Sequence, residues 1–291
     1  MLGGQSFWRI ARGQIHWKNT VDQLLLVGPR SLGVALLTSS FVGMVFTIQF
    51  VREFARMGLT RSVGGVLGLA LSRELTPVVT AIIMAGRVGS AFAAELGTMA
   101  VSEQTDSLRV LGTDPTDYLV VPRVLACMVA GPVLNLLCFA MGMAASTLLA
   151  EAVYDVTANV ILDSAARVRS RKFFSLEEVD ENNEKHSLFS LFLFLSLSFS
   201  SNSNKQTPLS HFLQAVMPWD VATSCIKSWV FGAIISVVSC SWGTTTTGGA
   251  KGVGESTTSA VVISLVGIFV ADFALSFLFF QGQGDALKQL S

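Results

Sequence analysis

Residues 71–122 read LSRELTPVVTAIIMAGRVGSAFAAELGTMAVSEQTDSLRVLGTDPTDYLVVP, and this stretch decides the fold. It joins an apolar segment of membrane length to a short polar piece, and a second long apolar segment follows at once. Charged side chains are costly inside such a segment, so they usually face a protein interior or a water-filled path. The charges of the first segment are Arg73, Glu74, Arg87 and Glu95. We therefore expect the function to be concentrated here.

The composition of the whole chain is that of a membrane protein. Of its 291 residues, 51% are hydrophobic and 14% are charged, and the mean hydropathy is +0.57. Soluble domains have roughly 25% charged residues. The 20 basic and 20 acidic residues leave no net charge, so the chain lacks the basic field that nucleic-acid binding needs. We predict an all-α, multi-pass membrane protein with no nucleic-acid partner.

Five apolar segments are long enough to cross a hydrocarbon layer of ~30 Å. They lie at about 31–50, 63–97, 120–150, 225–242 and 259–280. Aromatic and basic side chains are mixed within residues 1–30, which predicts an interfacial helix, with a soluble amphipathic helix as the alternative. Residues 31–291 then form one membrane domain. The N-terminal residues show neither a secretory signal nor the pattern of a transit peptide.

The polar segment 101–117 predicts a short helix on the membrane surface, between the second and third spans. A helix outside the bilayer that is joined to a span at each end is a lever on which a motor subunit can push. Its charged side chains are Glu103, Asp106, Arg109 and Asp114.

Two interpretations of the intramembrane charges stay open. Arg73, Glu74, Arg87 and Glu95 can form ion pairs that only hold helices together, because pairing is how charges survive in a bundle. Alternatively, some of them line a route for an amphiphile with an anionic headgroup. Arg87 suits such a role, since a guanidinium donates hydrogen bonds in a fork that matches a phosphate.

Residues 168–214 form an atypical insertion. They pass from a charged stretch to a low-complexity Ser/Leu/Phe run, whose apolar part is too short to span a membrane, and then to a Ser/Asn-rich patch. One interpretation is a disordered loop. The other is a retained intron, because Ser, Leu and Phe have pyrimidine-rich codons and removal of the segment can preserve the reading frame. Transcript reads aligned to the gene distinguish the two.

The sequence contains no recognisable motif for binding a metal, a cofactor or a nucleotide. The four cysteines are widely spaced without a CxxC pair, and the three histidines are scattered, so we expect no metal site, cofactor or disulfide framework. The run GTTTTGGAK at 243–251 lacks a lysine at the position that a phosphate-binding loop requires. Because GxSxG is also absent, an enzyme is not supported.

Three runs resemble the MlaE-type permease family of lipid ABC transporters, and a plant plastid member is the most similar within it. They are SRELTPVVTAIIMAGRVGSAFAAELGTMAVSEQTDSLRVLGTDPTDYLVVPR at 72–123, IKSWVFGAIISVVSCSWG at 226–243, and GGAKGVGESTTSAVV at 248–262. The resemblance covers about 7–167 and 215–285. The insertion at 168–214 and the missing plastid leader are departures from the family's pattern.

The resemblance implies a permease subunit that moves phospholipid or galactolipid precursors across the chloroplast inner envelope. It implies a homodimer, a separate ABC ATPase that hydrolyses ATP, and a lipid-binding partner with an MCE domain. Residues 103–114 then fall in a coupling helix that contacts the ATPase, and Arg87 and Glu95 fall in the family's GRxGSAxxAElG stretch. The competing hypotheses are a membrane scaffold or assembly subunit without a transport path and, third, an intramembrane lipid enzyme.

Overall fold

A computed structural model describes residues 17–58, 63–112, 114–154 and 218–288. These residues form helices joined by turns, and no strand occurs among them. The predicted all-α fold is confirmed. The insertion predicted at 168–214 and the first 16 residues of the predicted interfacial helix lie outside the described residues.

The described residues form eight α-helices in chain order. They are α1 (Trp17–Arg56), α2 (Val63–Ala70), α3 (Thr76–Met84), α4 (Ser90–Val101), α5 (Gln104–Val110), α6 (Val121–Tyr154), α7 (Pro218–Thr244) and α8 (Gly249–Lys288). Three π-helical turns join or precede some of them, at Leu71–Leu75, Ala85–Gly89 and Thr116–Val120.

Five helical stretches are long and apolar enough to cross a membrane. They are Lys18–Arg56, Val63–Val101, Tyr118–Ala150, Asp220–Thr244 and Gly249–Phe279. Each predicted span falls within one helical stretch of the structure. Helix α1 has no break at residue 30, although Pro29 lies inside it, so residues 17–30 continue directly into the first span. The interfacial position of the N-terminal residues stays a prediction.

The second span consists of α2, α3 and α4 joined by two π turns. A π turn adds one residue to a helical turn, which rotates all later side chains around the axis, and such turns are frequent at functional sites. Arg73 and Glu74 lie in the first turn, and Arg87 lies in the second. Pro77 follows the first turn and has no N–H to donate to the carbonyl of Arg73. The first π turn therefore lies where this hydrogen bond is missing.

The described residues divide into two compact units, and those of the first lie within 1–37, 74–136 and 222–291. Within it, α6 and α7 meet along an antiparallel seam of small side chains, spaced four residues apart on each helix. A Cβ added at Gly232 would lie 2.6 Å from the carbonyl oxygen of Cys127, so glycine is required for this approach. The seam consists of Cys127 opposite Gly232, Gly131 opposite Ser228, and Asn135, whose amide donates to Ser224 Oγ at 2.7 Å.

A second seam in the same unit joins the second span to α7, with the two helices parallel. A Cβ at Gly243 would lie 3.0 Å from the carbonyl oxygen of Ala93, and one at Gly89 would lie 2.9 Å from Ser239 Oγ. Helix α7 thus contacts both the second and third spans through small residues, which permit close backbone packing without a hydrophobic driving force.

The described residues of the second unit lie within 38–73 and 137–221. In it, α1 and α6 approach closely at Gly43 and Gly142, where an added Cβ at Gly43 would overlap the Gly142 carbonyl. Ser39 Oγ donates a hydrogen bond of 2.5 Å to the carbonyl oxygen of Cys138. Small side chains therefore also order the packing of this unit.

Candidate functional site

Lys227 on α7 is the centre of a charged cluster in the first unit. Its ammonium group donates to Glu74 Oε2 at 2.9 Å and to Ser276 Oγ at 2.8 Å, and it lies 3.0 Å from Asp272 Oδ1. Ser276 Oγ in turn donates to Glu74 Oε1 at 3.1 Å. The cluster ties the second span to α7 and α8.

Exposure within this cluster is unequal. The side chain of Lys227 is 3% exposed, whereas that of Glu74 is 49% exposed and that of Asp272 is 18% exposed. A buried ammonium group needs such partners, because an unpaired charge in a membrane span costs several kcal/mol or more. The cluster therefore contains side chains of three spans, and one side of Glu74 is exposed.

A second charged group lies on α4 and α6, also in the first unit. Arg123 Nη2 lies 2.8 Å from Glu95 Oε2, and the guanidinium carbon of Arg123 stands 5.2 Å from the ring centroid of Phe92. The Arg123 side chain is 5% exposed, that of Glu95 is 43% exposed, and Phe92 is fully buried. Phe92 and Glu95 are three residues apart on one face of α4, so a single arginine contacts both.

Arg73 has its partner within the second unit. Its Nε donates to Asp220 Oδ1 at 2.7 Å, and its Nη2 lies 2.5 Å from the same oxygen. The Asp220 side chain is 1% exposed, so the arginine neutralises a buried carboxylate. Arg73 therefore lies in an ion pair, and whether it only holds helices together or also faces a lipid route stays a prediction.

Arg87 differs from the other three predicted charges. It is exposed, in the π turn Ala85–Gly89, and within the described part of the chain it makes no ion pair. The next residues are anchored locally, since Ser90 Oγ donates to the carbonyl oxygen of Gly86 at 2.5 Å. A guanidinium is thus presented on the surface of a membrane span.

The partners of these charges were not predicted from the sequence. All four partners lie outside the apolar segment 63–97 that carries the predicted charges. They are Arg123, Asp220, Lys227 and Ser276. One signal was available, since each of the five spans carries few charges and opposite charges in different spans must pair to be stable. Lys227 and Arg123 are charges of this kind.

The surface helix α5 is shorter than the predicted 101–117. It runs from Gln104 to Val110, because Glu103 has a left-handed backbone (φ 56°) and Gly112 has φ 76°. None of its residues is buried. The predicted charges Glu103, Asp106, Arg109 and Asp114 are all exposed, and Arg109 Nη1 lies 2.9 Å from Asp106 Oδ1.

Two exposed apolar side chains end α5. Val110 is 88% exposed and Leu111 is 77% exposed, which exceeds every other exposed large hydrophobic residue among those described. Exposed apolar residues on a span face lipid, but these two follow a polar helix beyond the second span. They are therefore a candidate surface for contact with another protein.

The loop between α7 and α8 has no architecture for binding a nucleotide. A helix precedes it, and the hydroxyl groups of Thr244 and Thr246 donate to carbonyl oxygens at the end of α7, at 3.0 Å and 2.9 Å. Gly248 and Gly249 have φ of 91° and 72° and turn the chain into α8. Across the described ranges, His, Cys, Asp and Glu form no group of three or more that would hold a metal ion.

Comparison with known proteins identifies related chains along nearly the whole length. The protein named TRIGALACTOSYLDIACYLGLYCEROL 1, chloroplastic, of Arabidopsis thaliana is 58% identical over 288 residues, which cover 99% of this chain and 69% of the relative. The probable ABC transporter permease protein slr1045 of Synechocystis is 46% identical over 284 residues, or 98% and 90% of the two chains. The probable ABC transporter permease protein ycf63 of Pyropia yezoensis is 37% identical over 281 residues, or 97% and 89%.

The family described as Permease MlaE matches residues 20–175 and 187–278. The match is interrupted only at 176–186, which is narrower than the predicted insertion at 168–214; whether that segment is a retained intron stays a prediction. The family predicted from the charged stretch and the runs at 226–243 and 248–262 is confirmed. This multi-pass membrane protein belongs to the MlaE permease family.

Proposed function

We propose that this chain is the membrane-spanning permease subunit of an ABC-type lipid transporter. The single observation that carries the proposal is the exposed helix α5, which stands between two spans and ends in the exposed pair Val110 and Leu111. ATP hydrolysis takes place in a separate ABC ATPase subunit, and α5 is the surface on which that subunit acts. The Synechocystis and Pyropia relatives, which are named as probable ABC transporter permeases, support this assignment.

The contact with the ATPase combines an apolar pair with surface charges. Val110 and Leu111 supply the apolar centre of the contact, while Glu103, Asp106, Arg109 and Asp114 fix its orientation. Charged residues around an apolar centre are typical of protein interfaces, in which a few buried side chains supply most of the affinity. Movement of the ATPase then pushes α5 and the two spans joined to it.

The lipid route passes Arg87. Three of the four intramembrane charges predicted for this route or for bracing are in ion pairs, whereas Arg87 is exposed without one among the described residues. An exposed guanidinium in a span needs water, a second chain or an anionic headgroup around it. Its forked donors match a phosphate, so Arg87 contacts the headgroup of a passing phospholipid or galactolipid precursor.

The proposed assembly contains two copies of this chain, the ATPase and a lipid-binding protein with an MCE domain. The proposed location is the chloroplast inner envelope. These assignments follow the family resemblance, and the word chloroplastic in the name of the Arabidopsis relative supports the compartment. The galactolipid in that relative's name supports a lipid as the transported molecule.

Co-purification tests the role of α5. A tagged wild-type chain should recover an ATPase and an MCE-domain protein from plastid envelope membranes. Leu111→Asp should lose the ATPase and keep the MCE-domain protein. Met57→Asp is the matched control, because Met57 is also exposed, lies just beyond the first span and is far from α5 in the chain; it should keep the ATPase. Equal recovery of the ATPase by wild type and Leu111→Asp would contradict the role of α5, and recovery of neither partner by the wild-type chain would favour the scaffold hypothesis.

A further inference from the structure

We infer that Arg123, Glu95 and Phe92 form a clamp that makes the two helices on either side of α5 move together. The inference rests on the proposed role of α5 as the element pushed by the ATPase. It assigns to these three residues a positioning role in transport, distinct from binding lipid and from contacting the ATPase.

The clamp lies close to both ends of the segment that contains α5. Glu95 lies in the last two turns of α4, which ends at Val101, and Arg123 lies in the first turn of α6, which begins at Val121. The segment between these helices contains α5. The clamp therefore joins α4 and α6, the helices that flank α5, close to the points where the chain leaves them for α5.

The backbone hydrogen bonds around α5 are local. The N–H groups of Asp106 and Ser107 donate to the carbonyl oxygen of Glu103, and the N–H of Leu111 donates to the carbonyl oxygen of Ser107. Since α5 also buries none of its residues, a force on it is passed on through the chain to α4 and α6. If α4 and α6 separate, a push on α5 changes the conformation of the segment between them and does not move the two spans together.

The energetics of Arg123 make separation costly. Its side chain is 5% exposed, it is held by Glu95 at 2.8 Å, and it stacks on the ring of the fully buried Phe92. Both contacts are to α4. Pulling α6 away would leave a buried guanidinium without its carboxylate and without the aromatic ring, which is strongly unfavourable in a span. Helices α4 and α6 therefore act as one rigid body.

The unequal exposure of the pair decides which variants test the clamp. Glu95 is 43% exposed, so Glu95→Gln removes the charge and leaves an amide of the same size, and thermal unfolding in detergent checks that the variant is folded. Arg123→Lys keeps the charge but loses the fork and most of the stacking. The exchange of the two residues, Glu95→Arg with Arg123→Glu, restores an ion pair across the same two helices.

The experiment uses the proposed complex of two copies of this chain, the ATPase and the MCE-domain protein, reconstituted in phosphatidylcholine vesicles. Fluorescent phosphatidylglycerol and a fluorescent galactolipid are tested in separate vesicles. Lipid transferred and ATP hydrolysed are measured together. In Glu95→Gln the amount of lipid moved per ATP should fall by about fivefold or more, with hydrolysis within about twofold of wild type. Arg123→Lys should be intermediate, and the exchanged pair should recover part of the ratio.

The matched control is Glu255→Gln, which breaks the exposed pair of Glu255 with Lys251 on α8. It should keep the wild-type ratio. Glu103→Lys, which reverses a charge next to α5, is the comparison for uncoupling and should hydrolyse ATP without moving lipid. An unchanged ratio in Glu95→Gln, together with a lowered ratio in Glu103→Lys, would overturn the clamp and leave the proposed function standing. Absence of ATP-driven transfer by the wild-type complex would overturn the proposed function, and the clamp with it.

Discussion

Lys227 Nζ lies 2.9 Å from Glu74 Oε2, and this contact joins two spans across 153 residues of sequence. Asp272, on the fifth span, lies 3.0 Å from the same ammonium group. One cation therefore stands between two carboxylates inside the bundle. Such an arrangement is stable only while all its members are present.

Replacement of Lys227 should destabilise the protein strongly. Lys227→Met leaves Glu74 and Asp272 close together without a counter-charge, so we expect a loss of about 3 kcal/mol in stability. Thermal unfolding in detergent should show a midpoint lower by roughly 10 °C. The matched control is Lys251→Met, because Lys251 pairs with Glu255 at 3.8 Å on an exposed face. Equal midpoints for the two variants would contradict a bracing role.

Replacement of Arg87 should affect transport without affecting stability. Arg87 is exposed, with no ion pair in the described ranges, so Arg87→Ala should unfold at the wild-type temperature. Loss of a charge-assisted hydrogen bond to the headgroup should lower the transfer rate of an anionic lipid by about tenfold. Arg52→Ala, at another exposed arginine in a span, is the control and should transport normally. Normal anionic-lipid transfer by Arg87→Ala would remove Arg87 from the route.

The close approach of α6 and α7 gives a prediction about packing. The methyl group in Gly232→Ala would meet the Cys127 carbonyl oxygen at 2.6 Å, and backbone shifts of this kind cost about 2 kcal/mol. Gly86→Ala adds the same methyl group where nothing lies within 4 Å, so it should be tolerated. Thermal unfolding of both variants measures the difference. If Gly232→Ala is as stable as Gly86→Ala, the seam does not determine the packing of these helices.

The corner residue Glu103 separates a charge effect from a backbone effect. Its backbone is left-handed, with φ 56°, a conformation that glycine adopts without strain. Glu103→Lys and Glu103→Gly both remove the carboxylate, but only glycine also removes the strain of the left-handed backbone at residue 103. If the carboxylate contacts the ATPase, both variants should fold and both should hydrolyse ATP without moving lipid. Normal coupling in either variant would count against this contact.

The fold was predictable to the extent that apolar length determines it. Segments such as 120–150 are too long and too apolar for any other use, so five spans follow from the sequence. The length of α5 did not follow, because the left-handed backbone of Glu103 is unusual for a residue with a side chain. Helix propensity alone predicted a continuous helix through that corner.

The candidate site was predictable only in part. The four charges in one apolar segment were visible, whereas their partners Asp220, Lys227 and Arg123 depend on which spans are neighbours. A single sequence does not state that order. The seams have the same origin, since Gly232 gains its importance from the carbonyl of Cys127, which lies on another helix.

The central claim is that this chain is a lipid permease driven through α5 by a separate ATPase. The most direct measurement is the ATP-dependent transfer of fluorescent lipid by the purified complex in vesicles, with wild type and Leu111→Asp compared at equal amounts of protein. The account predicts transfer by wild type that requires ATP, and loss of that transfer in Leu111→Asp while the variant remains folded. Transfer that is independent of ATP, or equal in the two proteins, would contradict it.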